Sequence, residues 1–130
     1  ESNGVRTVIM HALMHTRGLR AHPWRPDLKL GACEHDDGLA VVMKAEEDWA
    51  GKLVFDVPRH KLYMGFEHDW PRMNTLPEWF TVALDRRYTV TADGKPLGER
   101  SGKQLHAGLL LTLAAGQELR LLVRPAETAK

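Results

Sequence analysis

The feature that most constrains this chain is a series of short apolar runs with a period of two, each closed by turn residues. Leu39, Val41 and Met43 alternate with Ala40, Val42 and Lys44. Leu53, Phe55 and Val57 alternate with Val54 and Asp56, and Pro58 closes that run. Leu119, Leu121 and Val123 fall on one side, with Arg120 and Arg124 on the other and Leu122 sharing the arginine side. Residues two apart share a face of a strand, so each run presents an apolar side that has to be covered. Leu28 to Cys33, Trp79 to Leu84, Tyr88 to Ala92 and Leu109 to Leu113 complete the strand candidates. Between them stand His35-Asp36-Asp37-Gly38, where a glycine after aspartate tolerates positive φ, and the turns Asp93-Gly94 and Ala115-Gly116. Glu46 to Gly51 reads as a polar turn around Trp49, so the first three strands predict a meander. The pattern as a whole predicts an all-β fold, a two-layer antiparallel β-sandwich of jelly-roll or Ig-like form. Val5 to Met14 fits a strand through Val8, Met10 and Ala12, or one short N-terminal helix through Val5, Val8, Ile9 and Ala12. The sheet character of the rest favours the strand.

A length of 130 residues fits a single domain over 1–130, with a tail expected to fray from about Pro125. Cys33 is the only cysteine, so no internal disulfide forms, and within a strand it is expected to act as a small buried hydrophobe. The formal net charge is +1 and the lysines and arginines are spread along the chain. Neither nucleic acid nor an anionic membrane is therefore drawn by a global field or a polybasic run. The longest apolar run, around Leu109 to Ala115, is far short of the roughly 20 residues of a membrane helix. The chain begins at Glu1 without a basic-then-apolar leader, which reads as a processed product or a piece of a longer chain.

Seven histidines are many for this length. His11 and His15 would share a metal on a helix, whereas on a strand they would lie about 13 Å apart at ~3.3 Å per residue. His22 is the third ligand of that candidate set, with His35 or His68 as substitutes, and copper or zinc as the metal. The carboxylates Glu34, Asp36 and Asp37, and Glu46, Glu47 and Asp48, fall at two predicted turns. Paired carboxylates across a cleft do glycosidic acid–base work, and calcium accepts such oxygens, but acidic turn tips are usually solvated turn chemistry. Ser2 and Ser101 stand in no nucleophile elbow, and there is no glycine-rich phosphate loop. No catalytic residue is expected.

Residues 58 to 78 hold Pro58, Gly65, Pro71 and Pro77 together with Tyr63, Phe66 and Trp70, and predict a long ordered loop or crossover. Its distinctive part runs from Asp69 to Phe80. There Trp70 and Trp79 could stack on sugar rings while Arg72, Asn74 and Glu78 hydrogen-bond hydroxyls, on a backbone stiffened by proline. The competing reading is that the aromatics fill the end of a core and Arg72 pairs with Asp69 or Glu78.

The stretch Ala50-Gly51-Lys52-Leu53-Val54-Phe55-Asp56-Val57-Pro58-Arg59-His60, then Pro71-Arg72-Met73-Asn74 and Pro77-Glu78-Trp79-Phe80-Thr81-Val82, resembles accessory β-sandwich modules of bacterial polysaccharide-processing enzymes. The ending is similar too, through Gly102, Leu105, Gly108-Leu109, Leu111-Thr112-Leu113, Gly116 and Leu119 to Val123. The resemblance spans about the last two thirds of the chain. It implies a secreted or periplasmic setting and a carbohydrate context, and it transfers no catalytic residues. The histidine-rich N-terminal third falls outside it.

Three functions are thus expected in order. The first is a non-catalytic module, without cofactor, that holds a polysaccharide or oligosaccharide or supports a catalytic domain of the same parent chain. The second is a small metal-dependent enzyme acting on polysaccharide, built on His11, His15 and His22 with copper or zinc. The third is a protein-interaction domain that offers a strand edge or apolar patch. Exposure of Trp24, Trp49, Trp70 and Trp79 separates sugar recognition from architecture.

Overall fold

The strands and turns read from the sequence can be compared with a computed structural model of the chain, which describes residues 18 to 58 and 81 to 127, together with Gly4, Leu62 and Gly65. In chain order the elements are β1 (Leu19–His22), β2 (Lys29–His35), β3 (Gly38–Lys44), β4 (Trp49–Phe55), β5 (Arg87–Ala92), β6 (Lys95–Ser101), α1 (Gly102–Ala107), β7 (Leu109–Leu113) and β8 (Glu118–Pro125). They form a three-stranded sheet, β1-β4-β7, and a five-stranded sheet, β2-β3-β8-β5-β6, in which every neighbouring pair is antiparallel. The chain is a two-layer antiparallel β-sandwich.

The period of two places the core. Leu39, Val41 and Met43 of β3, Val90 of β5 and Leu119, Leu121 and Val123 of β8 turn inward from the larger sheet. Leu53 and Phe55 of β4 and Leu109, Leu111 and Leu113 of β7 meet them from the smaller one. The alternate positions Val42, Arg120 and Arg124 stay exposed, and Leu122 is half-buried. Val54, Asp56 and Val57 are also buried, so the end of β4 is covered on both faces.

That double cover explains the first departure from the expected meander. β2 and β3 do form a hairpin, but the second edge of β3 pairs with β8, and β4 crosses to the other sheet. The corner is tighter than Glu46 to Gly51. Trp49 opens β4 as a core residue, 3% exposed, with its indole N–H donating to the Pro23 carbonyl at 2.8 Å. The acidic residues at this corner tie it down. Asp48 accepts from the Ala115 N–H at 2.8 Å, and Arg25 donates to the carbonyls of Glu47 and Asp48.

Turn chemistry was also partly redistributed. Asp36 itself takes the positive φ, +53°, in the two-residue β2–β3 loop, while Gly38 begins β3. A Cβ at Gly38 would stand 2.7 Å from the Val123 carbonyl oxygen, so this glycine serves close approach rather than the turn. Asp93 and Gly94, both at positive φ, form the expected two-residue turn between β5 and β6. The strand expected from Trp79 to Leu84 contributes, in its described part, a single bridge from Thr81 to Asp56, followed by the turn that Arg86 N–H closes on Ala83 O. Cys33 lies in β2 as expected but is exposed, because it shares the outward parity of Lys29, Gly31 and His35. Pairing of β8 reaches Pro125, opposite Tyr88, and the Ala126 N–H donates to Arg87 O. The chain is therefore tied slightly past the position where fraying was expected.

Three elements, β1, β6 and α1, escaped the apolar pattern. β6 carries Pro96, Gly98 and three charged residues, with a register shift opposite Val90 and Thr91. Those are marks of an edge strand. Helix α1 opens on a reciprocal capping box: Ser101 Oγ accepts from Gln104 N–H, and Gln104 Oε1 accepts from Ser101 N–H.

A further staple joins the β1–β2 loop to the β3–β4 corner. Asp27 accepts from Glu47 N–H and faces the Arg25 guanidinium, whose Nε lies 3.0 Å away. Desolvation pulls the Asp27 carboxyl upward, but these two donors outweigh it and hold it below the ordinary aspartate value. A depressed value in the folded state contributes stability above the unfolded range, and that stability is lost as pH falls through the folded value. Asp27→Asn is therefore expected to melt below the unchanged protein at pH 6, with a smaller gap at about pH 2, beneath the ordinary aspartate range. Thermal melts by circular dichroism at the two pH values check this, and a gap that stays constant rules it out.

Candidate functional site

The outer face of the three-stranded sheet carries a concave region. Outward parity is set by the pairing Arg20↔Val54 and His22↔Lys52 between β1 and β4, and Lys52↔Leu110 between β4 and β7. Arg20, His22, Lys52, Val54, His106 and Ala107 line a groove of about 520 Å³. That volume lies within the usual range for a small-ligand site. Arg20 and His22 are exposed, whereas Lys52 and His106 are half-buried.

Each half-buried group is held. The His106 Nδ1 lies 2.8 Å from the Phe55 carbonyl oxygen. A carbonyl only accepts, so Nδ1 carries a proton, and Nε2 is the ring nitrogen left over for a ligand hydroxyl. Lys52 lays its stem over Gly108, where a Cβ would stand 2.6 Å from the Lys52 Cδ. Gly108 has φ +126°, outside the range of most side chains, so the glycine is needed twice over.

Trp24 follows two residues after His22 and is 67% exposed. Its backbone is fixed on both sides. The Pro23 carbonyl accepts from Trp49, and Arg25 is bound to Asp27, Glu47 and Asp48. Gly51 of β4 packs against this backbone so closely that a Cβ there would collide with the His22 carbonyl oxygen. An exposed indole on a tied backbone offers a flat apolar face with only its side-chain rotamers left to order. Among the tryptophans described, Trp24 is thus bare and Trp49 belongs to the core.

The second region is a cleft of about 260 Å³ at one end of the sandwich, with Phe55, Tyr88 and Val123 in its walls and Glu34, Asp36 and Asp37 along its rim. All three carboxylates come from the β2–β3 loop and its flank, so they approach from one side. Acid–base cleavage of a glycoside needs two that flank the bond. Asp36 lies 3.6 Å from His35 Nε2 and 3.9 Å from Arg124 Nη2, as solvated turn residues do.

Of the sites expected from sequence, Trp70, Arg72, Asn74, Glu78 and Trp79 lie outside the described residues, as do His11, His15 and His68. His22 is described, and its cross-strand neighbour is the cation Lys52. No group of three or more potential metal ligands occurs among the described residues. Sequence reading missed the groove altogether. Its basic side chains stand at positions 20, 52 and 106, far apart in the chain, and the only local signal is Arg20-Ala21-His22, two polar side chains on one face of a short strand.

No family model, curated protein or solved structure matches this chain.

Proposed function

We propose that this chain is a non-catalytic β-sandwich module of a polysaccharide-processing system, which binds glycan on the outer face of its three-stranded sheet. The observation that carries this reading is Trp24, an indole 67% exposed on a backbone pinned from both sides, close in the chain to a groove of hydrogen-bonding side chains. Sugar rings present apolar faces edged by hydroxyls. A bare aromatic face takes the first, and Arg20, His22, Lys52 and the free nitrogen of His106 take the second. The resemblance to accessory modules of bacterial polysaccharide-active enzymes supports the same reading, with a catalytic domain of the parent chain as neighbour and a secreted or periplasmic setting.

Titration calorimetry against a panel of plant, algal and host oligosaccharides tests it. At least one glycan is expected to bind, and Trp24→Ala is expected to weaken that binding about thirtyfold, the loss of about 2 kcal/mol typical of a central aromatic contact. Trp24 contributes nothing to the core, so the variant should melt with the unchanged protein. Binding that survives Trp24→Ala, or no binding to any glycan, overturns the proposal.

A further inference from the structure

From the same groove we infer that the glycan it takes is anionic, a uronate or sulfate ester whose charged group sits between Arg20 and Lys52. This rests on the glycan reading above and adds to it the charge of the ligand.

The first support is an uncompensated charge. Four arginines of the described fold are paired with acids, Arg25 with Asp27, Arg87 with Glu99, Arg120 with Glu118 and Arg124 with Asp36, whereas the exposed Arg86 and the half-buried Arg100 have no such pair among the described residues and line neither concave region. Among the described residues, the side chains of Arg20 and Lys52 make neither an ion pair nor a hydrogen bond. No carboxylate lines the groove they share. The nearest acid on that parity of β4 is Asp56, which is buried and accepts from the Val57 N–H. In a chain of 18 Lys and Arg against 17 Asp and Glu, two unpaired cations lining one groove without a carboxylate mark a place where a negative charge is favoured.

The second support is fixation. Lys52 is half-buried with its stem against Gly108, so less side-chain entropy remains to be lost on binding. Arg20, two strand positions from His22 on the same face, supplies the planar fork that matches a carboxylate or sulfate in two parallel bonds. His106 adds its Nε2 for a ligand hydroxyl beside them, since its Nδ1–H is already given to Phe55 O. Anion, hydroxyl and ring face together describe one acidic sugar more closely than a free ion.

The test uses matched pairs: a uronate oligosaccharide against its carboxyl-reduced form, and a sulfated oligosaccharide against its desulfated form, each titrated calorimetrically into the intact chain. Inorganic sulfate alone is the control for a free anion. The charged member of at least one pair is expected to bind tenfold or more tightly than its neutral counterpart, and less tightly as salt rises from 0.05 to 0.5 M, a range chosen to shorten the screening length. The double variant Arg20→Met, Lys52→Met should bind both members equally, whereas Trp24→Ala should weaken both. Equal binding of charged and neutral members by the unchanged protein overturns this inference and leaves the glycan reading intact. Absence of all glycan binding overturns both. Sulfate bound at Arg20 and Lys52 without any glycan binding also overturns the inference, and identifies a free anion as the ligand instead.

Discussion

Replacing Phe55 with alanine is expected to destabilise the domain by about 3–5 kcal/mol, measured as the shift in free energy of urea denaturation. The ring is completely buried and lies where β4 faces the larger sheet, in the same cluster as Leu53, Val41 and Val123. Its removal exposes no surface that water can fill cheaply, and the flanking strands are held by their own ladders, so the cavity closes only in part. For a domain of this size the loss is roughly a fifth or more of a typical stability. The backbone carbonyl that accepts from His106 is untouched by the change. Below its melting transition the variant should therefore keep its ligand affinity. Val42→Ala on the outer face, where the side chain is 41% exposed, serves as the comparison and should cost less than about 0.5 kcal/mol. A Phe55→Ala cost near that of Val42→Ala would mean that the two sheets do not enclose this ring.

Gly102→Ala is expected to cost about 3 kcal/mol, for a reason unrelated to φ. A Cβ at Gly102 would overlap the Ala83 carbonyl oxygen and stand 2.6 Å from its carbon. The turn it would displace is fastened on several sides. Ala83 N–H donates to the Tyr88 hydroxyl at 2.8 Å, Arg86 N–H closes on Ala83 O, and Gly102 N–H itself donates to Arg86 O. Backbone pressed against backbone has no rotamer to escape into, which puts the cost at the upper end of the overpacking range. The matched control is Gly31→Ala. There the added Cβ meets nothing within 4 Å and no positive φ is required, so the change should be neutral or slightly stabilising. Equal stability of the two variants in urea would show that α1 does not lie against the 83–86 turn.

The two substitutions mark what was readable in advance. Phe55 stood at an apolar position of a period-two run, and its burial follows from that alternation. Gly102 carried no such signal, because the reason for it is a segment some twenty positions earlier in the chain. β6 was missed for a related reason. Its residues face water and keep no apolar period, although the Asp93-Gly94 turn after β5 already called for a partner strand. The capping box at Ser101 and Gln104 was likewise visible as a spacing of serine and glutamine. The candidate site was less accessible still. The expected ligand set centred on Trp70 and Trp79, while the groove that the structure describes draws on β1, β4 and the end of α1.

From the sequence alone came the identity of the core faces in β3, β4 and β8, most of the turns, and the two-layer all-β class. These depend on alternation and backbone preference, which act between near neighbours. The tertiary structure decided which strand belongs to which sheet, that Trp49 is enclosed while Trp24 is bare, and that Arg20, Lys52 and His106 share one groove. Those outcomes depend on pairing between residues up to about ninety positions apart, where hydrogen-bonded edges compete for partners and only the completed sheets show which side chains are left facing water.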